Sequence, residues 1–130
     1  MNKYEELKRQ VVTAVTKFES DQMSTNPVSI SVAIHPQELV VTFRGATCPA
    51  ERNYARDADA RELLERFYNR LYEATKPILE STIQEILNRR VERSRLSVAP
   101  ESGDGVILFA LAGESRCEDG APEDARAVTK

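Results

Sequence analysis

The sequence predicts an α+β fold, a two-layer sandwich in which helices cover one face of a four-stranded, mostly antiparallel sheet. Three observations predict it. The chain opens with an amphipathic helical pattern, a longer helical pattern occupies its middle, and two strand-like segments with a short connection follow each of them. Helices of this kind bury their apolar stripes most readily on one face of a sheet. The predicted element order is helix–strand–strand–helix–strand–strand.

The length of the chain, 130 residues, suits a single domain. We place this domain at residues 1–111. The remaining segment, 112–130, is polar and carries few large apolar side chains. Burial there cannot offset the entropy lost on ordering the chain, so we expect a disordered C-terminal tail.

The first helix is predicted over residues 2–23. Asn2, with Glu5 three residues later, has the pattern of an N-cap and capping box. Apolar side chains recur at spacings of three and four and share one face: Tyr4, Leu7, Val11, Ala14, Val15 and Phe18. Pro27 and the polar residues before it end the helix, because proline has no N–H and disfavours helical angles in the preceding residue.

Residues 28–34 alternate apolar with small side chains, which is typical of a strand with one buried face. The expected buried side is formed by Val28, Ile30, Val32 and Ile34. Residues 39–44 predict a second strand, and the short connection predicts an antiparallel hairpin with His35 in its turn. Polar side chains on both strands indicate that the other face is partly exposed to water.

Between this hairpin and the long helix, Thr47 or Cys48 is expected to cap a short helical turn. If Cys48 is the cap, Pro49 takes the first helical position and Glu51 the third, where a negative charge favours the helix N-terminus. We expect a mobile stretch at residues 53–58.

The long helix is predicted from about residue 59 to residue 90. Its apolar stripe is formed by Leu63, Phe67, Leu71, Ala74, Ile78, Leu79, Ile83, Ile86 and Leu87. Pro77 lies within it and predicts a kink near Glu73, with two separate helices as the alternative. The helix carries more apolar residues than one small sheet covers, which indicates self-association as a homodimer.

The last two strands have different patterns. Residues 91–99 alternate poorly and predict a weaker strand. A turn signal at residues 100–105 follows, and residues 106–111 form a continuous apolar run between glycines. A run of this length predicts a strand that is buried on both faces.

The composition excludes several classes of protein. With 18 Lys+Arg against 21 Asp+Glu, the net charge of -3 disfavours nucleic acid as a partner. There is no apolar run long enough for direct membrane insertion and no secretory signal pattern at the N-terminus. Two distant cysteines, Cys48 and Cys117, favour free thiols and a cytoplasmic location.

Catalytic and metal-binding patterns are absent from the sequence. Two cysteines and one histidine are too few for a zinc site, and no phosphate loop, dinucleotide turn, nucleophile elbow or HExxH helix is present. The thiol of Cys48 could be activated at a helix N-terminus, but a small capping residue is the simpler interpretation because no acid–base partner lies near it in sequence. We therefore expect no enzyme activity and no cofactor.

Two groups of residues form the candidate binding surface. The first follows the second strand, and the second is a basic cluster: Arg44, Gly45, Cys48 and Glu51; Arg89, Arg90, Arg93 and Arg95. The cluster suits phosphate, an anionic lipid head group or an RNA backbone. The alternative is that these arginines interact favourably with a helix C-terminus and otherwise lie in solvent.

The order of these features resembles the MpsC-like family of the sodium-translocating, membrane-potential-generating system. In that family the first hairpin ends in a basic residue and a glycine, as Arg44 and Gly45 do here. A threonine-proline-alanine-glutamate step follows, with Cys48 at the threonine position of residues 48–51. The long helix carries the same internal proline, Pro77, and a final hairpin matches residues 95–111.

The resemblance covers about residues 4–111, with two departures. The stretch before the first strand, residues 24–27, lacks the family's glycines, and residues 96–99 stand where the family often has histidine-serine-aspartate. If that histidine matters to the family's role, the role differs here.

The resemblance implies a non-enzymatic cytosolic component linked to a membrane system for inorganic-carbon uptake or cation translocation. The leading hypothesis is a homodimeric binding or adaptor module that docks on a membrane transporter subunit. One alternative is a regulatory domain that senses a small anion such as bicarbonate, or a nucleotide, through Arg44 and the N–H groups near residues 49–51. The other is an RNA-binding module.

Overall fold

A computed structural model describes residues 2–113, and its elements follow the predicted order with one short helix added. The elements are α1 Lys3–Asp21, β1 Ser29–Ile34, β2 Glu38–Arg44, α2 Pro49–Tyr54, α3 Ala58–Leu87, β3 Val91–Ala99 and β4 Asp104–Leu111. The predicted tail beyond residue 113, together with Cys117, lies outside the described residues.

The four strands form one sheet in the order β1-β2-β4-β3, and all three strand pairs are antiparallel. The two hairpins meet where β2 pairs with β4, so β1 and β3 are the edge strands. Helices α1 and α3 pack together, with α1 against β1 and α3 against β3. The predicted α+β fold class is confirmed.

Helix α1 begins at the predicted cap. The backbone N–H of Glu5 donates to Asn2 Oδ1 at 2.7 Å, which satisfies one of the N–H groups that a helix N-terminus leaves without a partner. The helix ends two residues before the predicted boundary. Its apolar face places Val11, Val15 and Phe18 in the core.

The core lies between the two helices and one face of the sheet, which we call the covered face. The strands contribute Leu39, Val41, Phe43, Val91, Leu96, Ile107, Phe109 and Leu111. Helix α3 contributes Tyr68, Tyr72, Leu79 and Ile83. The rings of Phe18 and Tyr72 meet edge to face, with centroids 6.0 Å apart, and join the two helices.

Two predictions about the strands are wrong. Val28 lies outside β1 and is 83% exposed, although its N–H still donates to the Arg44 carbonyl. Strand β4 is buried on one face only: Ile107 and Phe109 lie in the core, whereas Leu108 is half-buried. The reason is that α1 and α3 cover the same face of the sheet, and no third layer exists among residues 2–113.

Strand β3 has the predicted boundaries, and its poor alternation has a structural cause. The register with β4 shifts between Val91 and Arg93, so Glu92 is an extra residue in a β-bulge. Beyond the bulge the period of two resumes, with Ser94 and Leu96 on the covered face.

Helix α3 is one continuous helix with Pro77 inside it, so the alternative of two helices is wrong. It ends at Asn88, which adopts the left-handed conformation (φ 56) that commonly terminates helices. The prediction of its buried face is wrong at four positions that are exposed: Leu63, Phe67, Ala74 and Ile78. Tyr68 and Tyr72 occupy the core instead, whereas Phe67 is 55% exposed.

Tyr72 can take its core position because the fold supplies a partner for its buried hydroxyl. Tyr72 Oη lies 2.7 Å from Ser94 Oγ, and the Ser94 hydroxyl lies 2.6 Å from Glu80 Oε2. This chain of hydrogen bonds ties α3 to β3 inside the core. Burial raises the pKa of Tyr72 well above its usual value.

Candidate interaction surface

The face of the sheet opposite the helices, here called the open face, has no covering layer within the described residues. The strand register aligns its side chains in rows across the sheet. One row contains Ala33, Val40, Leu108 and Arg95, and the next contains Ser31, Thr42, Val106 and Ser97. The centre of the open face is therefore apolar, and its edges are polar.

The border of the open face is mainly basic. Arg93 and Arg95 project from the edge strand β3, and Arg44 lies at the end of β2. Among the charged side chains that face outward from the four strands, Glu38 and Asp104 are acidic. Three arginines against two carboxylates give this border a small excess of positive charge, whereas the whole chain carries a net charge of -3.

These arginines are weakly neutralised. Arg93 Nη1 lies 4.0 Å from Glu92 Oε1 with both side chains exposed, a geometry that contributes little. Within residues 2–113, Arg44 and Arg95 have no ion-pair partner. Their charge is therefore available to a ligand or partner.

A groove lies at the end of the sheet next to the β1–β2 turn, where side chains of the open face and of α3 both line it. It is lined by His35 and Glu38 from the hairpin, Arg95 and Leu108 from the sheet, and Lys76 from α3. His35 lies in the turn, as predicted, and its N–H donates to the Glu38 carbonyl at 2.8 Å. The groove combines apolar floor with charged side chains of both signs.

The predicted basic cluster does not form one surface. Arg89 folds onto the end of β4, where its guanidinium donates to the Ala112 carbonyl and its Nε is buried. Arg90 is exposed and lies 3.8 Å from Glu92. Of the four arginines in the predicted cluster, only Arg93 and Arg95 lie on the open face. Arg89 instead holds the end of β4.

The segment after β2 is fixed against the β3–β4 turn. The Ala46 N–H donates to the Gly103 carbonyl at 2.8 Å, and the Thr47 hydroxyl donates to the Pro100 carbonyl at 3.2 Å. Gly103 has φ +81, and a Cβ there would lie 2.7 Å from Thr47 Oγ1. This close approach requires glycine at position 103.

Gly45 lies at the corner of this contact, next to Arg44. Its φ of +63 is in the left-handed region that favours glycine, and its N–H donates to Asp104 Oδ1 at 3.2 Å. The two residues therefore differ in role. Gly45 turns the chain away from the sheet, whereas the Arg44 side chain remains exposed.

Cys48 is the N-cap of α2, and Pro49 follows at the first helical position, as predicted. Glu51 Oε1 accepts a hydrogen bond from the Cys48 N–H at 2.9 Å, so its carboxylate already occupies the helix N-terminus. Partial burial acts to raise the pKa of Glu51, but the bond from Cys48 and the charge of Arg52 outweigh it and lower that pKa. The Cys48 thiol is free and exposed.

Helix α2 also corrects the predicted mobile stretch at residues 53–58. Asn53 and Tyr54 belong to α2, and Ala58 begins α3. The Asp57 side chain caps α3 by accepting from the Ala60 N–H at 3.0 Å. Most of the stretch is therefore helical or involved in capping.

One buried carboxyl was not singled out by the sequence. Glu19 of α1 is 2% exposed; the Thr25 hydroxyl donates to its Oε1, and its Oε2 has no hydrogen-bond partner within residues 2–113. Burial raises the pKa of Glu19, and the bond from Thr25 offsets this only in part. The polar flank of α1 gave no signal that this glutamate turns inward.

Sequence reasoning also missed the apolar centre of the open face. Val106 and Leu108 were assigned to a strand with two buried faces, although alternate members of an apolar run can equally line an exposed surface. The signal was the neighbouring strand: Thr42 and Arg44 share the outward side of β2 and indicate contact with water.

A family model described as the Na+-translocating membrane potential-generating system (MpsC) matches residues 3–113. The match includes every helix and strand given above. Searches of curated proteins and of solved structures found no match. In the described part of the chain, no helix is both long and apolar enough to cross a membrane. Since the match spans most of the chain, this protein belongs to the MpsC family of the Na+-translocating membrane potential-generating system.

Proposed function

We propose that this protein is a non-enzymatic, cytoplasmic adaptor of that system, and that its open face binds an acidic, partly apolar segment of a membrane protein. The family supplies the link to a membrane system. The observation that carries the proposal is the open face itself, in which an apolar centre is bordered by arginines.

The apolar centre supplies the binding energy in this proposal. Val40, Val106 and Leu108 are half-buried by their neighbours and lose their remaining exposure when a partner covers them. Each square ångström of apolar surface removed from water contributes roughly 25 cal/mol, before the costs of association. An amphipathic segment lying across the strands would cover all three side chains.

The arginines determine the sign of the partner. Arg44 and Arg95 lack ion-pair partners within residues 2–113, and Arg93 has only a distant contact with Glu92. Guanidinium groups bind carboxylates through two parallel hydrogen bonds. Positive charge on the rim also steers an acidic partner toward the surface, so association should slow as salt is added.

The alternatives have less support. At the start of α2, where a small anion is the alternative ligand, the Cys48 N–H already donates to the Glu51 carboxylate, and this negative charge repels a second anion. The outward-facing residues of the four strands include no aromatic side chain on which an RNA base could stack.

The test is site-specific photocrosslinking in cells. A photoreactive amino acid is placed at Val106, in the centre of the open face, and in a matched control at Thr16, which is exposed on α1. We expect an adduct with a membrane protein from Val106 and none from Thr16. Adducts with soluble proteins or nucleic acid alone would contradict the proposal.

A charge-reversal pair checks the role of the arginines. The variant Arg93→Glu/Arg95→Glu should abolish the membrane-protein adduct. The control Lys3→Glu/Lys17→Glu makes the same change in net charge on α1 and should leave the adduct intact. Equal effects of the two pairs would show that overall charge, and not the open face, directs binding.

A further inference from the structure

Helix α3 carries a second apolar stripe that the domain does not bury, here called the outer stripe. It consists of Leu63, Phe67, Ala74 and Ile78, and its three large members are 52%, 55% and 53% exposed. Only six large hydrophobic side chains are exposed in residues 2–113, and three of them lie on this one helix face. Scattered exposed apolar residues need no explanation, but a contiguous stripe indicates an interface.

The spacing of the residues in the outer stripe is symmetric about the midpoint of the stripe. Positions 63, 67, 74 and 78 are separated by four, seven and four residues. A two-fold axis between Arg70 and Leu71 would therefore place Leu63 of one copy level with Ile78 of a second copy. The same operation places Phe67 level with Ala74 of the second copy.

These contacts combine large with small side chains. The ring of Phe67 would lie over Ala74 of the second copy. Because alanine is small, the two helix axes could approach to about 9 Å, a usual separation for packed helices. Leu64 and Leu71 complete an alternating three-and-four spacing with Phe67, Ala74 and Ile78, which is the pattern of a coiled-coil seam. Both leucines are half-buried against the domain and would join this seam to the core.

The polar flank of the outer stripe is compatible with the same arrangement. Arg70 has no ion-pair partner within the described residues, and Glu73 follows it on this side of the helix. In the antiparallel arrangement the two Arg70 side chains lie near the axis, and each is also within one helical turn of Glu73 from the other copy, so two arginines are balanced by two carboxylates. A parallel arrangement would instead set Phe67 against Phe67 and Ala74 against Ala74, so large and small side chains would no longer face each other across the seam.

We propose that two copies of this chain form a dimer through antiparallel packing of their α3 helices along the outer stripe. The occupant of the stripe is thus a second copy, because the stripe is complementary to itself. The layers of the dimer run sheet–helix–helix–sheet, which leaves both open faces on the outside. This inference goes beyond the proposed docking function and does not depend on it.

The first test measures the mass of the purified full chain by size-exclusion chromatography with light scattering and by sedimentation. We expect a dimer, and Phe67→Lys should raise its dissociation constant by about 100-fold, since it buries an unpaired charge in the seam. Asn69→Lys, exposed on another face of α3, is the control and should remain dimeric. Circular dichroism must show that Phe67→Lys retains its helices.

The second test distinguishes antiparallel from parallel packing. In a background with Cys48→Ser and Cys117→Ser, the variants Leu63→Cys and Ile78→Cys are oxidised singly and as a mixture. Antiparallel packing predicts a disulfide-linked dimer only in the mixture, because identical positions lie about 22 Å apart along the helix. Crosslinking of Leu63→Cys alone would overturn the antiparallel arrangement.

Two further results would overturn the proposal as a whole. One is a monomer at all protein concentrations. The other is a dimer that survives Phe67→Lys and dissociates with Leu108→Lys, which would place the contact on the open face. Both assays use the chain alone, so failure of membrane-protein docking leaves their outcome unchanged.

Discussion

Ile78 and Leu79 are neighbours in α3, yet Leu79 is 1% exposed and Ile78 is 53% exposed. The first belongs to the stripe that packs on the covered face, and the second to the outer stripe. The two stripes have similar apolar character and the same helical spacing. Their comparison teaches that periodicity locates apolar positions but does not identify the stripe that the domain buries.

The sheet repeats this contrast. Alternate residues of β4 are apolar on both sides, but Ile107 is buried under the helices whereas Leu108 borders the groove of the open face. Apolar side chains that the domain does not bury thus lie both on the outer stripe of α3 and on the open face of the sheet. We propose a second copy of the chain as the partner of the outer stripe and a membrane protein as the partner of the open face.

The largest difference is expected between truncations at the two neighbouring α3 positions. Leu79→Ala removes core side-chain volume and should lower the free energy of unfolding by about 3–4 kcal/mol. Ile78→Ala should change it by less than about 0.5 kcal/mol when urea unfolding is measured on the monomer. Similar losses at both positions would show that the outer stripe is buried within the domain.

A smaller difference is expected between two serines of β3. Ser94 hydrogen-bonds to Tyr72 and Glu80 inside the core, so Ser94→Ala should cost about 1–3 kcal/mol by leaving buried polar atoms without partners. Ser97 faces the open side, and Ser97→Ala should be nearly neutral. Thermal unfolding of both variants provides the measurement, and a neutral Ser94→Ala would mean that the chain of hydrogen bonds contributes nothing.

The smallest effect concerns pH. Because burial raises the pKa of Glu19 in the folded state, the folded protein holds this proton more tightly than the unfolded chain does. The contribution of protonated Glu19 to the stability of the fold is fully present below the pKa of this glutamate in the unfolded chain. It is lost as pH rises through the pKa of the same group in the folded protein. Glu19→Gln removes this dependence, so the stability of the variant relative to wild type should increase as pH rises above the pKa that this glutamate has in the unfolded chain.

Glu38→Gln on the open face is the control for this measurement, made by urea unfolding at each pH. If the difference between Glu19→Gln and wild type does not vary with pH, the buried carboxyl does not contribute to acid-dependent stability.

Much of the fold could be predicted from local chemistry. Asn2 and Cys48 cap helices where their sequence patterns indicate, and the β1–β2 hairpin follows from period-two alternation with a short turn. These features depend on contacts within a few residues. They require no knowledge of what the rest of the chain does.

The errors arose where a distant contact decided the outcome. Tyr72 lies in the core because Ser94, far along the chain, offers its hydroxyl a hydrogen-bond partner. Arg89 does not belong to the predicted basic surface because its guanidinium donates a hydrogen bond to the Ala112 carbonyl. Neither partner is visible in a local pattern, so the candidate site was only partly predictable.

The β-bulge at Glu92 has a consequence for the solution behaviour of the protein. An edge strand with a regular ladder invites strands of other molecules to continue it, which leads to fibres. In β3 the bulge interrupts that ladder, and the charged Arg93 and Arg95 follow immediately. This edge is thereby protected against amyloid-like growth, even in a molecule with ample apolar surface for closed assembly.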